Sequence, residues 1–100
     1  MAIQVDVNGI DVKISLSERF DFACVEEFRQ SYESVSVVGK KAVVIDFRGT
    51  RYMDSSALGM LIDAKSHFSQ SDSKVTLLNC NDQIKKIFSI SRFDKKFDIN

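Results

Sequence analysis

The sequence contains no proline, no tryptophan, a single histidine, two cysteines and four glycines in 100 residues. With so little proline and glycine, no flexible or polyproline linker divides the chain, and no internal repeat is visible, so residues 1–100 read as a single domain. Cys24 and Cys80 lie far apart and in no metal-binding or redox spacing. They read as free thiols packed like small apolar side chains, not as a disulfide framework or a metal site. Net charge is also missing: 14 Lys+Arg against 14 Asp+Glu cancel, and the pI is near 6.6. Nucleic acid is therefore not an expected partner, because a phosphate backbone is met by a clustered basic surface that releases counterions. No apolar run approaches the ~18 residues of a membrane span, and the N-terminus lacks a basic region followed by an apolar stretch. A cytoplasmic protein with no membrane association is expected. The neutral charge makes a free monomer the default.

What is present is 44% hydrophobic and 28% charged residues, eight of them phenylalanine. At this length a fold hides roughly two-thirds of its unfolded-chain surface, enough for a core without staples. Ile3, Val5 and Val7 alternate with polar residues before Asn8-Gly9, and Ile10, Val12, Ile14 and Leu16 do so after it. This pattern predicts a β-hairpin with a type I′ turn at Asn8-Gly9, pairing Val7 with Ile10, Val5 with Val12 and Ile3 with Ile14. Gln4, Asp6, Asp11, Lys13 and Ser15 fall on the opposite, wet face.

Beyond Ser17-Glu18-Arg19 the period becomes helical. Phe22, Val25, Phe28 and Tyr32 form one stripe, with Asp21 as N-cap and Phe20 and Val25 placed as a hydrophobic staple. Lys41 to Phe47 is an apolar run too short for a full helix and reads as a central strand, with Val75 to Leu78 as a second. Between them a segment from about Ser55 to Phe68 turns Leu58, Leu61, Ile62 and Phe68 inward. Strand, helix, strand implies a right-handed parallel crossover. Asn81 or Asp82 caps a third helix carrying Ile84, Ile87 and Phe88, and Lys95 to Ile99 reads as a short last strand. The order is ββαβαβαβ: an α/β fold with a mixed sheet, an N-terminal hairpin plus parallel βαβ units, whose amphipathic helices cover chiefly one face.

Open α/β sheets place working sites at the carboxyl ends of parallel strands. There the loop Arg48-Gly49-Thr50-Arg51-Tyr52-Met53 leads into Asp54-Ser55-Ser56-Ala57-Leu58-Gly59 at the start of a helix. A helix N-terminus suits an anion, so a phosphate on Ser55 is compatible with the fold. On spacing alone, Asp-Ser-Ser before an apolar stripe needs nothing more than helix capping to explain it. Arg48, Arg51 and Tyr52 are open to protein contact, to a nucleotide phosphate, or simply to solvent.

The run Val43 to Phe47 followed by Met53-Asp54-Ser55-Ser56-Ala57-Leu58-Gly59-Met60-Leu61 resembles the signature of STAS domains, the family of bacterial anti-sigma factor antagonists. The resemblance covers nearly the whole chain: a hairpin, a first helix opening at Asp21, an apolar strand ending in Asp46, and the D-S-S-[GA]-L-G helix start. It implies that Ser55 is a phosphoacceptor, with Asp54, Ser56, Ala57, Leu58, Gly59, Asp21, Arg51 and Tyr52 contributing the motif or the partner surface. Three departures stand out. Glu18 occupies the place of a glycine common in the family, Ala57 replaces the commoner glycine, which favours helix by about 1 kcal/mol, and the chain stops at Asn100 where the family often adds a helix.

What the resemblance implies is a non-enzymatic, phosphorylation-controlled protein-binding switch in bacterial signal transduction and transcription control. The unmodified protein would bind a serine-kinase anti-sigma factor or related regulator, phosphorylation of Ser55 would release it, and a serine phosphatase would reset it, with no cofactor or metal. The alternative within the family is a constitutive adaptor in a transport or stress-signalling complex. Enzyme readings find little support. His67 lies about three helical turns from Ser55, too far to act as its base, and reads as a solvated helix residue. There is no G-x-S-x-G elbow or G-x-x-x-x-G-K loop, and Asp46 lacks the acidic partners of a phosphoaccepting aspartate.

Overall fold

The structure is a computed structural model, describing residues 3–36, 39, 41–70 and 73–100. Strands β1 (Gln4–Asn8) and β2 (Asp11–Ser15) form the antiparallel hairpin. Its register differs from expectation: Val5 faces Ile14, Val7 faces Val12 and Asn8 faces Asp11, so the turn is Gly9-Ile10. Of the two turn residues Gly9 has positive φ (+61°) and Ile10 does not, which is the pattern of a type II′ turn. The slip is two residues, which leaves every side chain on its expected face. Ile10 sits at the tip, where its carbonyl accepts from Lys41 N (2.8 Å), and both Val7 and Ile10 are exposed.

The chain then makes a two-residue strand β3 (Arg19–Phe20), a 3-10 turn over Phe22–Cys24 and helix α1 (Val25–Glu33). Asp21 caps this entry, its Oδ1 accepting from Ala23 N at 3.1 Å. Phe22 departs from the expected stripe and is 71% exposed, because the 3-10 turn has a different angular step from the helix it precedes. Strand β4 (Ala42–Asp46) is followed by β5 (Tyr52–Met53), helix α2 (Ser56–Ser69), strand β6 (Lys74–Leu78), helix α3 (Asp82–Ile90), a second 3-10 turn and strand β7 (Asp98–Ile99). Asn81 caps α3, its side-chain oxygen accepting from Ile84 N at 2.8 Å. The last strand is shorter than expected because Phe93–Lys95 are spent in the turn, which buries Phe93 and Phe97.

The five-stranded sheet runs β1-β2-β4-β6-β7, antiparallel only at the hairpin; β3 and β5 form a separate parallel pair. One face of the large sheet, carrying Val12, Ile14, Val43, Ile45, Val75 and Leu77, joins Phe28, Tyr32, Leu61, Phe68, Ile84 and Phe88 of the helices in one core. On the other face Ala42, Val44, Thr76 and Leu78 are half-buried, with Lys13 and Lys74 exposed. The helices thus cover one face, as the helix count implied. In α2 the buried residues are Ala57, Met60, Leu61, Ala64 and Phe68; Leu58 is half-buried, and Ile62, expected inward, is exposed. His67 also departs from expectation. Its ring lies 5.1 Å from that of Tyr32 and 5.0 Å from that of Phe68, and Nε2 is buried without a hydrogen-bond partner among the described residues.

Candidate functional site

The site is positioned by a line of buried rings. Phe20 is fully buried, edge-on to Phe28 of α1 (4.9 Å) and to Phe47 at the end of β4 (6.1 Å), and Phe47 is edge-on to Phe88 of α3 (5.7 Å). This fixes β3, and β3 fixes the loop before α2. Arg51 N and Tyr52 N both donate to Glu18 O (2.8 and 3.1 Å), and Thr50 Oγ1 donates to Ser17 O at 2.8 Å. Asn81 Nδ2 reaches Thr50 O at 3.4 Å. The loop from Arg48 to Met53 is therefore a strapped segment ending in a strand, although a two-residue strand leaves no periodic trace in a sequence.

The pairing of β3 with β5 sets Arg19 opposite Tyr52 and Phe20 opposite Met53. Because the pair is parallel, Asp21 and Asp54 each follow at the same end, and each caps a helical segment. Asp54 Oδ1 accepts from Ser56 N at 2.9 Å, and Asp54 O accepts from Ala57 N at 3.1 Å. Ser55 already has helical dihedrals (φ −67°, ψ −21°), makes no side-chain capping bond and is exposed. The Ser55 hydroxyl is presented to solvent at the positive end of a 14-residue helix whose cap is supplied by its neighbour.

Arg19, which sequence reasoning passed over, joins the two aspartate-led segments. Its Nε donates to Asp21 Oδ2 at 3.3 Å, and its guanidinium lies 4.5 Å from the centre of the Tyr52 ring. The only signal in the sequence is its position in a polar stretch two residues before Asp21. The structure thus gathers Asp21, Tyr52, Asp54 and Ser55 at one end of the small sheet. Ala57 is buried beneath them, Leu58 and Ser56 are half-buried, and Gly59 is exposed one turn after Ser55. Arg51 is exposed beside Tyr52. Arg48 lies apart, lining a shallow depression with Lys13, Ser15 and Asp46.

Asp46 clamps the end of the central strand. Buried at the end of β4, it accepts at Oδ1 from Asn79 Nδ2 and Arg48 N (2.9 Å each), while Oδ2 lies 3.4 Å from Lys13 Nζ. Burial by itself pushes its carboxyl group up, but the hydrogen bonds from Asn79 and Arg48 and the Lys13 charge outweigh it and hold the group below the usual carboxylate range. Among the described residues no group of three or more His, Cys, Asp or Glu is placed to hold a metal ion, and no helix is long and apolar enough to cross a membrane. Cys80 is buried, and burial pushes its thiol up to about 11.

A one-sided mixed sheet whose loop after the second parallel strand delivers an exposed serine to a helix start is the architecture of a STAS domain. The STAS domain family matches residues 2–100, and the chain belongs to it. It is 38% identical over 93 residues to a STAS-domain containing protein of Pseudomonas aeruginosa (strain UCBPP-PA14), spanning 93% of this chain and 91% of that one. Among solved structures it resembles the anti-sigma factor antagonist SpoIIAA in its unphosphorylated form, with a TM-score of 0.74 at 20% identity over 99% of this chain and 87% of that one. The phosphorylated form of the Bacillus protein gives a TM-score of 0.74 at 22% identity, over 99% of this chain and 91% of that one. The murine anion transporter Solute Carrier 26 family member A9 matches 85% of this chain with a TM-score of 0.72 at 18% identity, across 14% of its own length.

Proposed function

We propose that this protein is a non-enzymatic, phosphorylation-controlled binding switch of the anti-sigma factor antagonist type. Unmodified, it binds a serine-kinase anti-sigma factor or a related regulator, and phosphorylation of Ser55 releases that partner until a serine phosphatase removes the phosphate. Residues 1–100 act as one STAS domain, monomeric when free and working in the cytoplasm. The observation that carries this reading is the division of labour at the start of α2: Asp54 caps the helix, and the exposed Ser55 hydroxyl makes no capping bond. A phosphate there disturbs no bond the fold depends on. It adds about −1.5 to −2 charges to the surface that Asp21, Arg51, Tyr52, Asp54, Ser56, Leu58 and Gly59 offer a partner around the buried Ala57. One close charge pair near a surface is worth at most about 4 kcal/mol before screening, and each ~1.4 kcal/mol is tenfold in affinity. Ten- to thousandfold weakening follows without refolding.

The test is a comparative pull-down from the native lysate with folded wild type, Ser55→Ala and Ser55→Asp as baits. The switch predicts a kinase-like regulator retained by wild type and Ser55→Ala and lost with Ser55→Asp. Identical partners on all three baits would replace it with the second reading, a constitutive adaptor of a transport or stress-signalling complex. That reading draws on the likeness to the anion transporter.

A further inference from the structure

Two amides at the start of α2 are already engaged, Ser56 N by the Asp54 carboxylate and Ala57 N by the Asp54 carbonyl, so the helix end offers a phosphate on Ser55 fewer donors than an uncapped one would. A dianion placed there must find its counter-charge among nearby side chains, with the carboxylates of Asp54, Asp21 and Glu18 opposing it. Two arginines belong to the segment, Arg19 and Arg51. Arg19 is opposite Tyr52 in the β3–β5 register, and Ser55 follows Tyr52 by three residues, at most about 10 Å of extended chain. Arg51 lies one residue further back along the chain. The Arg19 side chain is 66% exposed and makes two contacts of the kind that exchange readily: a 3.3 Å ion pair with Asp21 and a face contact with Tyr52. The Asp21 carboxylate is only 16% exposed, but the guanidinium it pairs with stands open to solvent, where a doubly charged competitor can reach it.

Building on the phosphorylation reading, we infer that Arg19 is the internal receptor of the modification: a phosphate on Ser55 draws the Arg19 guanidinium away from the Tyr52 ring and Asp21 into a charge-assisted pair with the phosphate oxygens. The switch then has two surface states. In the unmodified state Arg19 covers Tyr52, and Asp21 is neutralised. In the phosphorylated state the Tyr52 ring and the Asp21 carboxylate are uncovered beside the new phosphate. A partner fitted to the first surface meets a changed ring, a freed carboxylate and a phosphate together, which extends the change beyond the modified residue itself. The planar guanidinium suits a phosphate better than an ammonium would, since it offers paired N–H donors in a fixed fork.

The test uses the full chain with phosphoserine installed at position 55 during synthesis, so that it does not depend on any kinase in the cell. The second ionisation of the phosphate is followed by phosphorus NMR in the wild-type background and in Arg19→Gln, Arg19→Lys and Arg51→Gln. Pairing with Arg19 favours the dianion, so the phosphate should titrate about half a pH unit higher in Arg19→Gln than in wild type, in keeping with an exposed charge pair. Arg19→Lys should fall between the two, and Arg51→Gln should stay near wild type. In the wild-type chain the Arg19 Nε–H and Tyr52 ring signals should both move on phosphorylation, a change that a merely structural arginine would not show. Equal titration in wild type and Arg19→Gln, or a shift with Arg51→Gln alone, overturns the inference. Failure of the phosphorylation reading itself shows separately, as unchanged partner retention in the pull-down.

Discussion

The carboxylate of Asp54 accepts a 2.9 Å hydrogen bond from the backbone N–H of Ser56, and the hydroxyl of Ser55 between them makes no such bond. Both residue types are good helix caps, so their stability roles separate only in the structure. Asp54→Ala should destabilise the fold by about 1 kcal/mol, whereas Ser55→Ala should stay within about 0.5 kcal/mol of wild type. Urea denaturation of the two variants measures this. A Ser55→Ala loss as large as that of Asp54→Ala would make the serine a cap after all.

Asp46 predicts an acid response. Its carboxyl group is held below the usual range in the folded protein by Asn79, Arg48 N and Lys13, against the opposing effect of burial. The folded group therefore binds a proton less readily than the unfolded one. Its stabilising contribution is fully present above the unfolded value of about 3.9 and is lost as pH falls through the lower folded value. Asp46→Ala should cost about 2 kcal/mol at neutral pH by leaving charge-assisted bonds unmade. Asp46→Asn should flatten the loss of stability on acidification below about pH 4. Denaturation midpoints between pH 7 and pH 3 compare the chains, and parallel curves for wild type and Asp46→Asn would remove Asp46 from the acid response.

Much of this architecture was legible because long elements carry their own period. The hairpin, three helices and two apolar central strands are repeated patterns that tertiary packing had only to confirm. The register of the hairpin was not legible, since a slip of two residues changes no face and periodicity cannot distinguish the alternatives. The strands β3 and β5 were equally hidden, being two residues each and made by pairing with one another. Phe22 and His67 misled for opposite reasons. A 3-10 turn rotated Phe22 off the stripe, while the imidazole found a place between Tyr32 and Phe68 that composition alone does not reveal. For the site, the motif gave Asp54 and Ser55 but not Arg19, whose role depends on a ring brought to it by β5.

Cys80 should be the slow thiol. It is buried, and burial pushes its ionisation up to about 11, so the reactive thiolate is scarce through pH 9. Alkylation of the native protein at pH 8, mapped by peptide mass spectrometry, should leave Cys80 unmodified until denaturant is added. Rapid labelling of Cys80 in the native protein would show that this end of β6 opens locally.

Gly59 has no structural need of its own to be glycine. It lies inside α2, is exposed, has no positive φ, and a Cβ built there meets nothing within 4 Å. A glycine in that position loses backbone entropy that alanine would not, so Gly59→Ala should stabilise the fold by about 0.5–1 kcal/mol. In a domain of this size that is several degrees in Tm. A lower Tm would mean that a neighbour resists the methyl group. Gly59 follows Ser55 by one helical turn, so under the switch reading the partner lies against it. Gly59→Ala should then weaken retention of the regulator in the pull-down while the domain itself becomes more stable. The opposite signs distinguish a docking position from a folding one: a stabilised variant that keeps its partner in full would place the docked surface on another part of α2.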